Sequence, residues 1–263
     1  MFSILQQDNL SQLPPSYCRF FSSAHIDGLD PKRIPKHVAI IPDGNRRWAH
    51  QQEFASSEGH RQGADILMDV VKSGIELGLE AMTFYTFSTE NWQRSPAEVE
   101  GLMWLLHHYL TDQCQEMIDF GIRLQCIGDL SKLPKDLYQT IQEVKLKTAA
   151  CTNIDMVLAL NYGSRDEICR AIQSMVQDCT DQKLSKEEIK PETVSRYLDT
   201  SIWKDPELLI RTSGEMRVSN FLLWQLSYTE IHISDVLWPD FQPRHLYEAI
   251  YSYQQRNRRH GGS

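Results

Sequence analysis

The sequence predicts an α/β fold, a single domain with a central, largely parallel six-stranded sheet flanked by helices on both faces. Six short apolar segments of strand character recur along the chain, and helical stretches lie between most of them. The strand segments are nearly continuous in apolar residues, which is typical of strands buried on both faces of a parallel sheet. The predicted strands are His37–Ile41, Met82–Phe87, Ile122–Ile127, Met156–Leu160, Leu208–Ile210 and Tyr228–Ile233.

The segment before the first strand differs from the rest of the chain. Residues 1–35 contain four prolines and no sustained apolar period, so we expect an irregular extension that lies along the domain surface. The domain itself is predicted to run over residues 36–258, and a short tail, 259–263, follows it.

The clearest helix is predicted over Glu98–Ile118, where apolar residues recur at three- and four-residue spacing. Trp104 and Leu105 lie off the main stripe and widen the apolar arc. Two explanations remain open. Either the sheet and another subunit cover the helix on two sides, or part of the arc lines a cavity for an apolar ligand.

Further along, the Ser185–Glu188 spacing is a capping box that predicts a helix running toward Tyr197.

Composition and charge exclude several classes of protein. The 263 residues include 27 Lys plus Arg and 35 Asp plus Glu, a net charge of −8, which argues against nucleic-acid binding through the overall field. The mean hydropathy is −0.43 and no long apolar run occurs, so no transmembrane helix is expected. The first residues do not resemble a signal peptide, and the cysteines show no CxxC spacing. A reduced, cytoplasmic setting is therefore expected.

Polar segments follow four of the predicted strands, at Pro42–Trp48, Ser88–Arg94, Asn161–Asp166 and Arg211–Asn220. Because parallel strands end at the same edge of a sheet, these segments are expected to converge there, where ligands of open α/β sheets bind. They are rich in arginine, small hydroxyl residues and glycine, which suit the oxygens of a multiply charged phosphate ligand. The alternative is that each arginine pairs with a nearby carboxylate or lies in a solvated loop.

Asp43 directly follows the first strand, in an Asp-Gly-Asn turn. It is either a turn-forming residue or a hard oxygen ligand for a Mg²⁺ ion that bridges phosphates. No GxGxxG or GxxxxGK[ST] motif follows any strand, so a Rossmann dinucleotide site and a P-loop are both disfavoured.

Several longer strings resemble the signatures of the cis-prenyltransferase family, typified by bacterial undecaprenyl diphosphate synthases. They appear in the family's order and span residues 36–262. The matching strings are His37–Ala49, Gly59-His60, Thr86–Trp92, Asn161–Gly163, Arg211–Glu215, Ser219–Gln225 with Glu230, Val236–Phe241 and the closing Arg258–Gly262.

The resemblance implies a homodimeric transferase that adds isopentenyl diphosphate repeatedly to an allylic diphosphate, with farnesyl diphosphate as the expected starter. Each addition would make a cis double bond, and the product would be a long-chain polyprenyl diphosphate, the precursor of a cell-wall lipid carrier. It also implies Mg²⁺, an apolar tunnel along residues 102–110 and a tail, 259–263, that reaches the dimer partner. We expect a cytoplasmic enzyme, in transient contact with the inner face of the membrane when product is released.

The resemblance also assigns roles to individual residues. Asp43 and Asn91 would be catalytic, and Asp43 and Glu230 would bind the metal. The family makes Asn91 a proton acceptor, but a neutral carboxamide is a poor base. We therefore expect Asn91 to orient the substrate while a diphosphate oxygen or water takes the proton. The substrate-binding residues would be Gly44, Asn45, Arg46, Arg47, Trp48, Ser56, His60, Ser88, Thr89, Glu90, Trp92, Arg94, Arg211, Arg217, Val218 and Ser219.

Three positions depart from the family pattern. Ser56 stands where an arginine usually contacts the allylic diphosphate, Arg46 stands where many bacterial members have glycine, and Met216 replaces a histidine found in some members. Two other interpretations are a non-catalytic subunit of a prenyltransferase complex and a generic α/β enzyme for phosphate esters. Such subunits tend to lose the metal-binding Asp or the diphosphate residues. Because this chain keeps Asp43, Arg47, Arg211 and Arg217, the sequence favours an enzyme.

Overall fold

The computed structural model describes residues 19–256. Its strands form one six-stranded sheet in the order β3-β4-β2-β1-β5-β6, and every neighbouring pair is parallel. The predicted α/β fold is therefore confirmed. The strands are β1 His37–Ile41, β2 Ala81–Ser88, β3 Ile122–Ile127, β4 Ile154–Tyr162, β5 Leu208–Arg211 and β6 Glu230–Ile233. The last strand begins two residues later than predicted, because residues 225–228 form a 3₁₀ turn.

Helices cover both faces of the sheet. They are α1 Ser23–Asp27, α2 Asn45–Gln51, α3 Ser56–Asp65, α4 Leu67–Leu77, α5 Pro96–Asp119, α6 Lys135–Lys147, α7 Ser164–Thr180, α8 Pro191–Tyr197 and α9 Pro243–Gln254. The predicted long helix is confirmed as α5. It begins where the Ser95 side chain accepts a hydrogen bond from the Glu98 amide and where Pro96 supplies a preset φ.

The capping box at Ser185 is present, but it closes a 3₁₀ turn, Lys186–Glu188, and not the predicted helix. Helix α8 begins separately at Pro191. The reason is the proline, whose ring disfavours helical backbone at the preceding residue. Lys190 is accordingly extended, with φ −130° and ψ 168°, and this interrupts the path from the turn into the helix.

The sheet is buried on both faces, as its apolar strands predict. All residues of β1 and β4 are buried. Alternate side chains of β1 enter different clusters: Val38 and Ile40 join the larger core, while Ala39 and Ile41 join a smaller one on the other face. Because all neighbouring strands are parallel, their carboxyl ends lie at one edge, where the polar segments begin.

The described part of the predicted extension is more ordered than the sequence indicates. Residues 23–27 form α1, and Phe21, Leu29 and Ile34 are buried in the larger core. The Glu76 carboxylate accepts hydrogen bonds from the amides of Phe20 (2.8 Å) and Phe21 (3.3 Å). Residues 1–18 and the predicted tail, 259–263, lie outside the described residues. Over residues 19–256, no helix combines the length and apolar character needed to cross a bilayer.

Two glycines of α3 allow close packing against α2 and the loop after β6. A Cβ at Gly59 would lie 2.0 Å from the carbonyl oxygen of Asn45. A Cβ at Gly63 would lie 2.4 Å from the Asn45 side-chain oxygen and 2.7 Å from the Trp238 ring. Both glycines therefore face the segment that follows β1, and they determine how closely α3 approaches it.

Replacing Gly59 with alanine is expected to lower the free energy of unfolding by about 1–3 kcal/mol, because the new methyl group must push the α2 backbone away. Urea denaturation monitored by circular dichroism measures this change. Gly101→Ala is the matched control, since a Cβ there meets nothing within 4 Å in the middle of α5. Equal stability of the two variants would contradict the packing argument.

Candidate active site

One cavity of about 690 Å³ opens at the carboxyl edge of the sheet. The segments that follow β1, β2 and β5 all line it, together with α3 and α5. The predicted convergence is therefore seen for three of the four polar segments. Ten of the predicted site residues line the cavity: Asp43, Asn45, His60, Ser88, Glu90, Asn91, Arg94, Arg211, Arg217 and Ser219.

The fourth polar segment, after β4, supports the cavity from outside. The Asn161 side-chain oxygen accepts a hydrogen bond from the Trp92 indole at 2.7 Å. The Ser164 amide donates to the Asn220 carbonyl oxygen at 2.8 Å, and the Arg165 amide donates to the Asn220 side-chain oxygen at 3.0 Å. This segment thus positions the loops after β2 and β5 and does not itself form the wall.

Asp43 and Arg211 meet at the mouth of the cavity. The Arg211 Nη2 donates to Asp43 Oδ2 at 2.7 Å, and its Nη1 donates to Ser219 Oγ at 2.9 Å and to the carbonyl oxygen of Arg217. The Arg211 side chain is only 4% exposed, whereas that of Asp43 is 31% exposed. The Arg211 Nε is buried and has no hydrogen-bond partner in the described chain. A buried guanidinium with an unused donor is well suited to an anionic ligand.

Three other arginines of the polar segments also have carboxylate partners, as the alternative interpretation expects. Arg94 pairs with Glu98 at 2.9 Å, and Arg47 pairs with Glu215 at 2.9 Å. Arg217 pairs with the second oxygen of the same Glu215 carboxylate. Pairing and ligand binding are therefore compatible at this edge, because Arg94, Arg211 and Arg217 line the cavity while they hold these partners.

The loop after β2 is held by its own side chains. The Asn91 side-chain oxygen accepts a hydrogen bond from the Ser88 amide at 3.1 Å, in a capping box that begins the 3₁₀ turn Thr89–Gln93. The Glu90 carboxylate accepts from the Asn220 side chain at 2.9 Å. Asn91 is thus oriented by the backbone of its own turn.

Asn220 connects the loops around the cavity, a role that the sequence pattern did not indicate. It links three loops through Glu90, Ser164 and Arg165, and its φ is +63°. Asparagine tolerates this left-handed conformation better than most residues, so its place in the Ser219–Gln225 string is a signal that could have indicated the role.

His60 lies in the cavity wall on α3. Its Nδ1 lies 2.8 Å from the Ser56 carbonyl oxygen, which can only accept, so Nδ1 carries the hydrogen. Burial lowers the pKa of this imidazole, which favours the neutral form near pH 7. Ser56 therefore contributes its carbonyl group to the orientation of His60.

The remaining predicted substrate residues surround the cavity. Gly44 begins α2 with φ +108°, and Arg46 and Arg47 follow it on the first turn. Arg47 lines a neighbouring polar hollow of about 510 Å³, and the Trp48 indole donates to Asp240 beside it. Thr89, Trp92 and Val218 lie in the loops after β2 and β5.

The inner part of the cavity is apolar. Five residues of α5 line it: Leu102, Met103, Leu105, Leu106 and Tyr109. Ala64, Leu67 and Phe87 contribute from neighbouring elements. Of the two explanations for the wide apolar arc, the cavity wall therefore accounts for Leu105. Trp104 points away and is 60% exposed. The cavity suits an amphiphilic ligand, with an anionic head at the mouth and an apolar chain inside.

The structure does not bring the two predicted metal ligands together. Glu230 is in register with Leu208 of β5, and Leu208 with Val38 of β1, so Glu230 lies toward the amino edge of the sheet. Asp43 lies beyond the carboxyl end of β1, roughly 16 Å further along at about 3.3 Å per residue. Glu230 instead pairs with Arg256 at 2.9 Å. Within one chain, Asp43 and Glu230 therefore do not lie together, and the metal-binding role of Glu230 stays a prediction.

Asp43 is the predicted metal ligand that lies in the cavity. Among residues 19–256, no group of three or more His, Cys, Asp or Glu side chains could hold a metal ion. Mg²⁺, however, is commonly held by one or two carboxylates, water and phosphate oxygens of the substrate. The partly exposed Asp43 carboxylate at the cavity mouth fits a Mg²⁺ ion that arrives with a diphosphate, and it does not fit a metal bound by the protein alone.

The fold and this site define the class of protein: a parallel α/β protein with an arginine-lined cavity mouth above an apolar interior. The family model described as "Putative undecaprenyl diphosphate synthase" matches residues 41–261. The chain belongs to this family, the cis-prenyltransferases, and is a transferase. The predicted family membership and enzyme class are confirmed.

Individual relatives agree with this assignment. The isoprenyl transferase of Chlamydia caviae is 50% identical over 232 residues, which are 87% of this chain and 93% of the relative. That of Clostridium tetani is 45% identical over 234 residues, 89% of this chain and 92% of the relative.

Two solved structures are also similar. A lavandulyl diphosphate synthase from Lavandula x intermedia, in complex with dimethylallyl diphosphate, matches with a TM-score of 0.84 and 34% identity. A probable undecaprenyl diphosphate synthase from Campylobacter jejuni matches with a TM-score of 0.73 and 32% identity. In both cases the match covers 86% of this chain and 98% of the other.

Proposed function

We propose that the protein catalyses the Mg²⁺-dependent, repeated cis-condensation of isopentenyl diphosphate with an allylic diphosphate. Farnesyl diphosphate is the proposed starter, and a long-chain polyprenyl diphosphate, precursor of a cell-wall lipid carrier, is the proposed product. The observation that carries the proposal is the contact between Asp43 and Arg211 at the mouth of a cavity whose interior is apolar.

The proposed site divides into two diphosphate subsites. Gly44, Asn45, Arg46, Arg47 and His60 would serve the allylic diphosphate. Arg211, Arg217 and Ser219 would serve the isopentenyl diphosphate, and the buried, incompletely paired Arg211 guanidinium supports this assignment. Asp43 would hold the Mg²⁺ ion, which when bound would neutralise charge on the diphosphate.

The reaction begins when the allylic C–O bond breaks and the diphosphate leaves with the electron pair. The arginines stabilise the developing negative charge electrostatically. The double bond of isopentenyl diphosphate then attacks the resonance-stabilised allylic cation; a C–C bond forms and the positive charge moves to a carbon of the isopentenyl unit. Loss of a proton from the neighbouring carbon then forms a new double bond. Holding both substrates side by side lowers the activation barrier further, because the two reacting groups no longer have to meet by diffusion.

Asn91 would orient the isopentenyl group and would not accept this proton. Its side-chain oxygen already accepts a hydrogen bond from Ser88, and a carboxamide is a weak base. A diphosphate oxygen or water would take the proton. Ser88, Thr89, Glu90, Trp92, Arg94 and Val218 would shape the loops around the two substrates.

The apolar interior would favour elongation over release. Burying each CH₂ group stabilises by about 0.8 kcal/mol, so each five-carbon unit gains on the order of a few kcal/mol by entering the cavity. Growth would continue until the chain fills the space that α5 lines.

A bulky replacement on this wall is expected to shorten the products. Leu106→Trp adds about six side-chain heavy atoms, comparable with the five carbons of one added unit, to a wall that is already packed. The product ladder, resolved by thin-layer chromatography of the dephosphorylated lipids, should shift by about one unit or more. Ile118→Trp is the control on the same helix, since Ile118 is exposed and does not line the cavity. An unchanged Leu106→Trp ladder would place the growing chain elsewhere.

We also propose that the enzyme is a cytoplasmic homodimer that touches the membrane transiently to release its product, with residues 259–263 reaching the dimer partner. The membership of the chain in the cis-prenyltransferase family supports this proposal. Sedimentation velocity would measure the oligomeric state directly.

The central experiment incubates the full chain with radiolabelled isopentenyl diphosphate, farnesyl diphosphate and Mg²⁺, and then sizes the products. Extended polyprenyl diphosphates that disappear with EDTA would support the proposal. Binding without turnover would instead indicate a non-catalytic subunit. If the chain neither binds these substrates nor turns them over, the remaining interpretation is a generic α/β enzyme for phosphate esters.

A further inference from the structure

Glu215 joins two arginines that belong to different diphosphate subsites of the proposed function. Its Oε1 accepts a hydrogen bond from Arg47 Nη2 at 2.9 Å, and its Oε2 accepts one from Arg217 Nη1. Arg47 lies on α2, after β1, whereas Arg217 lies in the loop after β5. A single carboxylate therefore spans the gap between two strands of the sheet edge.

This pairing holds Arg47 away from the cavity. Arg217 lines the cavity, but Arg47 lines the neighbouring polar hollow, where its Nη1 also donates to the Ser213 carbonyl oxygen at 3.1 Å. The hydrogen bond from Arg217, and then the charges of both arginines, lower the pKa of Glu215, so the carboxylate is ionised near neutral pH. It offers the arginines the same kind of partner as a diphosphate oxygen does.

We propose that Glu215 is a positioning residue that competes with the substrate diphosphates for Arg47 and Arg217. In the ligand-free enzyme the Glu215 carboxylate forms ion pairs with both guanidinium groups. A bound diphosphate replaces Glu215 as the partner of one or both arginines, and the ion pairs with Glu215 form again when the diphosphate leaves.

The competition has a consequence for turnover. This step rests on the proposed function, in which every condensation releases one inorganic diphosphate. A site with several free arginines would hold that product tightly. By returning to Arg47 and Arg217, Glu215 lowers the affinity for inorganic diphosphate and speeds its release. Both ion pairs are partly solvent-exposed, so the effect of each is expected to be modest.

The test is calorimetric titration of the full chain with inorganic diphosphate, for wild type and Glu215→Gln. Glutamine retains the shape of the side chain but is a weaker acceptor for arginine. The dissociation constant is expected to fall about three- to tenfold, because two exposed charge pairs no longer compete. The difference should shrink in 0.5 M KCl, which screens exposed ion pairs. Glu215→Asp, which keeps the charge on a shorter side chain, should lie between the two.

Turnover gives a second readout that a purely structural role would not produce. If product release limits the cycle, Glu215→Gln lowers kcat and the KM for isopentenyl diphosphate together. Glu80→Gln is the matched control, since Glu80 forms an exposed pair with Lys36 just before β2, at the opposite edge of the sheet. An unchanged or weaker affinity of Glu215→Gln for inorganic diphosphate would overturn the proposal. The titration needs no turnover, so it remains decisive if the wild-type chain makes no polyprenyl product and the proposed function itself fails.

Discussion

Asp43→Asn is expected to reduce kcat/KM for chain elongation by about 10³-fold, because the cavity mouth loses the carboxylate that would hold Mg²⁺ and with it the neutralisation of the leaving diphosphate. The substitution is nearly isosteric. The asparagine side-chain oxygen can still accept from Arg211 Nη2, which lies 2.7 Å from Asp43 Oδ2, and the Asp43 amide keeps its bond to Thr212 at 2.8 Å. The fold is therefore expected to remain intact while the chemistry fails.

Steady-state kinetics with a Mg²⁺ titration measure this effect. The wild-type rate should saturate with Mg²⁺, while the variant should need far more of the ion or never saturate. Asp65→Asn provides the control, since Asp65 forms an exposed ion pair with Arg61 on α3. If Asp43→Asn keeps wild-type activity and wild-type Mg²⁺ dependence, Asp43 does not bind the metal ion and is only a turn-forming residue.

Arg211→Lys has the second large expected effect. The guanidinium donates to Asp43 through one nitrogen and to Ser219 and the Arg217 carbonyl through another, in a buried position. A lysine ammonium is a point charge and cannot reproduce this planar fork. Losing part of a buried, hydrogen-bonded charge pair costs about 2–5 kcal/mol, so kcat/KM for isopentenyl diphosphate is expected to fall by roughly two to three orders of magnitude.

The effect should be specific to one substrate. If Arg211 serves the isopentenyl diphosphate, the KM for that substrate should rise far more than the KM for the allylic diphosphate. Arg61→Lys, in the exposed ion pair on α3, is the control and should change neither constant. Equal changes in both KM values would mean that Arg211 supports the whole site and not one subsite.

The strands and the main helix could be predicted because burial leaves a periodic signature in the sequence. The runs in β1 and β4 are apolar at nearly every position, and both strands are buried throughout. The same signature says nothing about strand order, since all buried parallel strands look alike. It also misplaced the start of α8, where a proline overrides the capping box.

The candidate site could be located from the sequence because parallel strands share one carboxyl edge. The contact between Asp43 and Arg211 follows from β1 and β5 being neighbours in the sheet. Strings such as Pro42–Trp48 and Arg211–Glu215 also indicated the family, and the family match over residues 41–261 confirms it.

The partners within the site depended on the folded chain. Glu230 matches a family position, yet its register with Leu208 puts it toward the amino edge and away from Asp43. Asn220 and Glu215 contact residues that are distant in sequence. Asn220 donates a hydrogen bond to Glu90, and Glu215 accepts one from Arg47. The apolar pattern of a single segment is enough to indicate which of its residues are buried. A hydrogen bond or ion pair between side chains needs two segments that are distant in sequence, so it is decided only when the folded sheet brings their ends together.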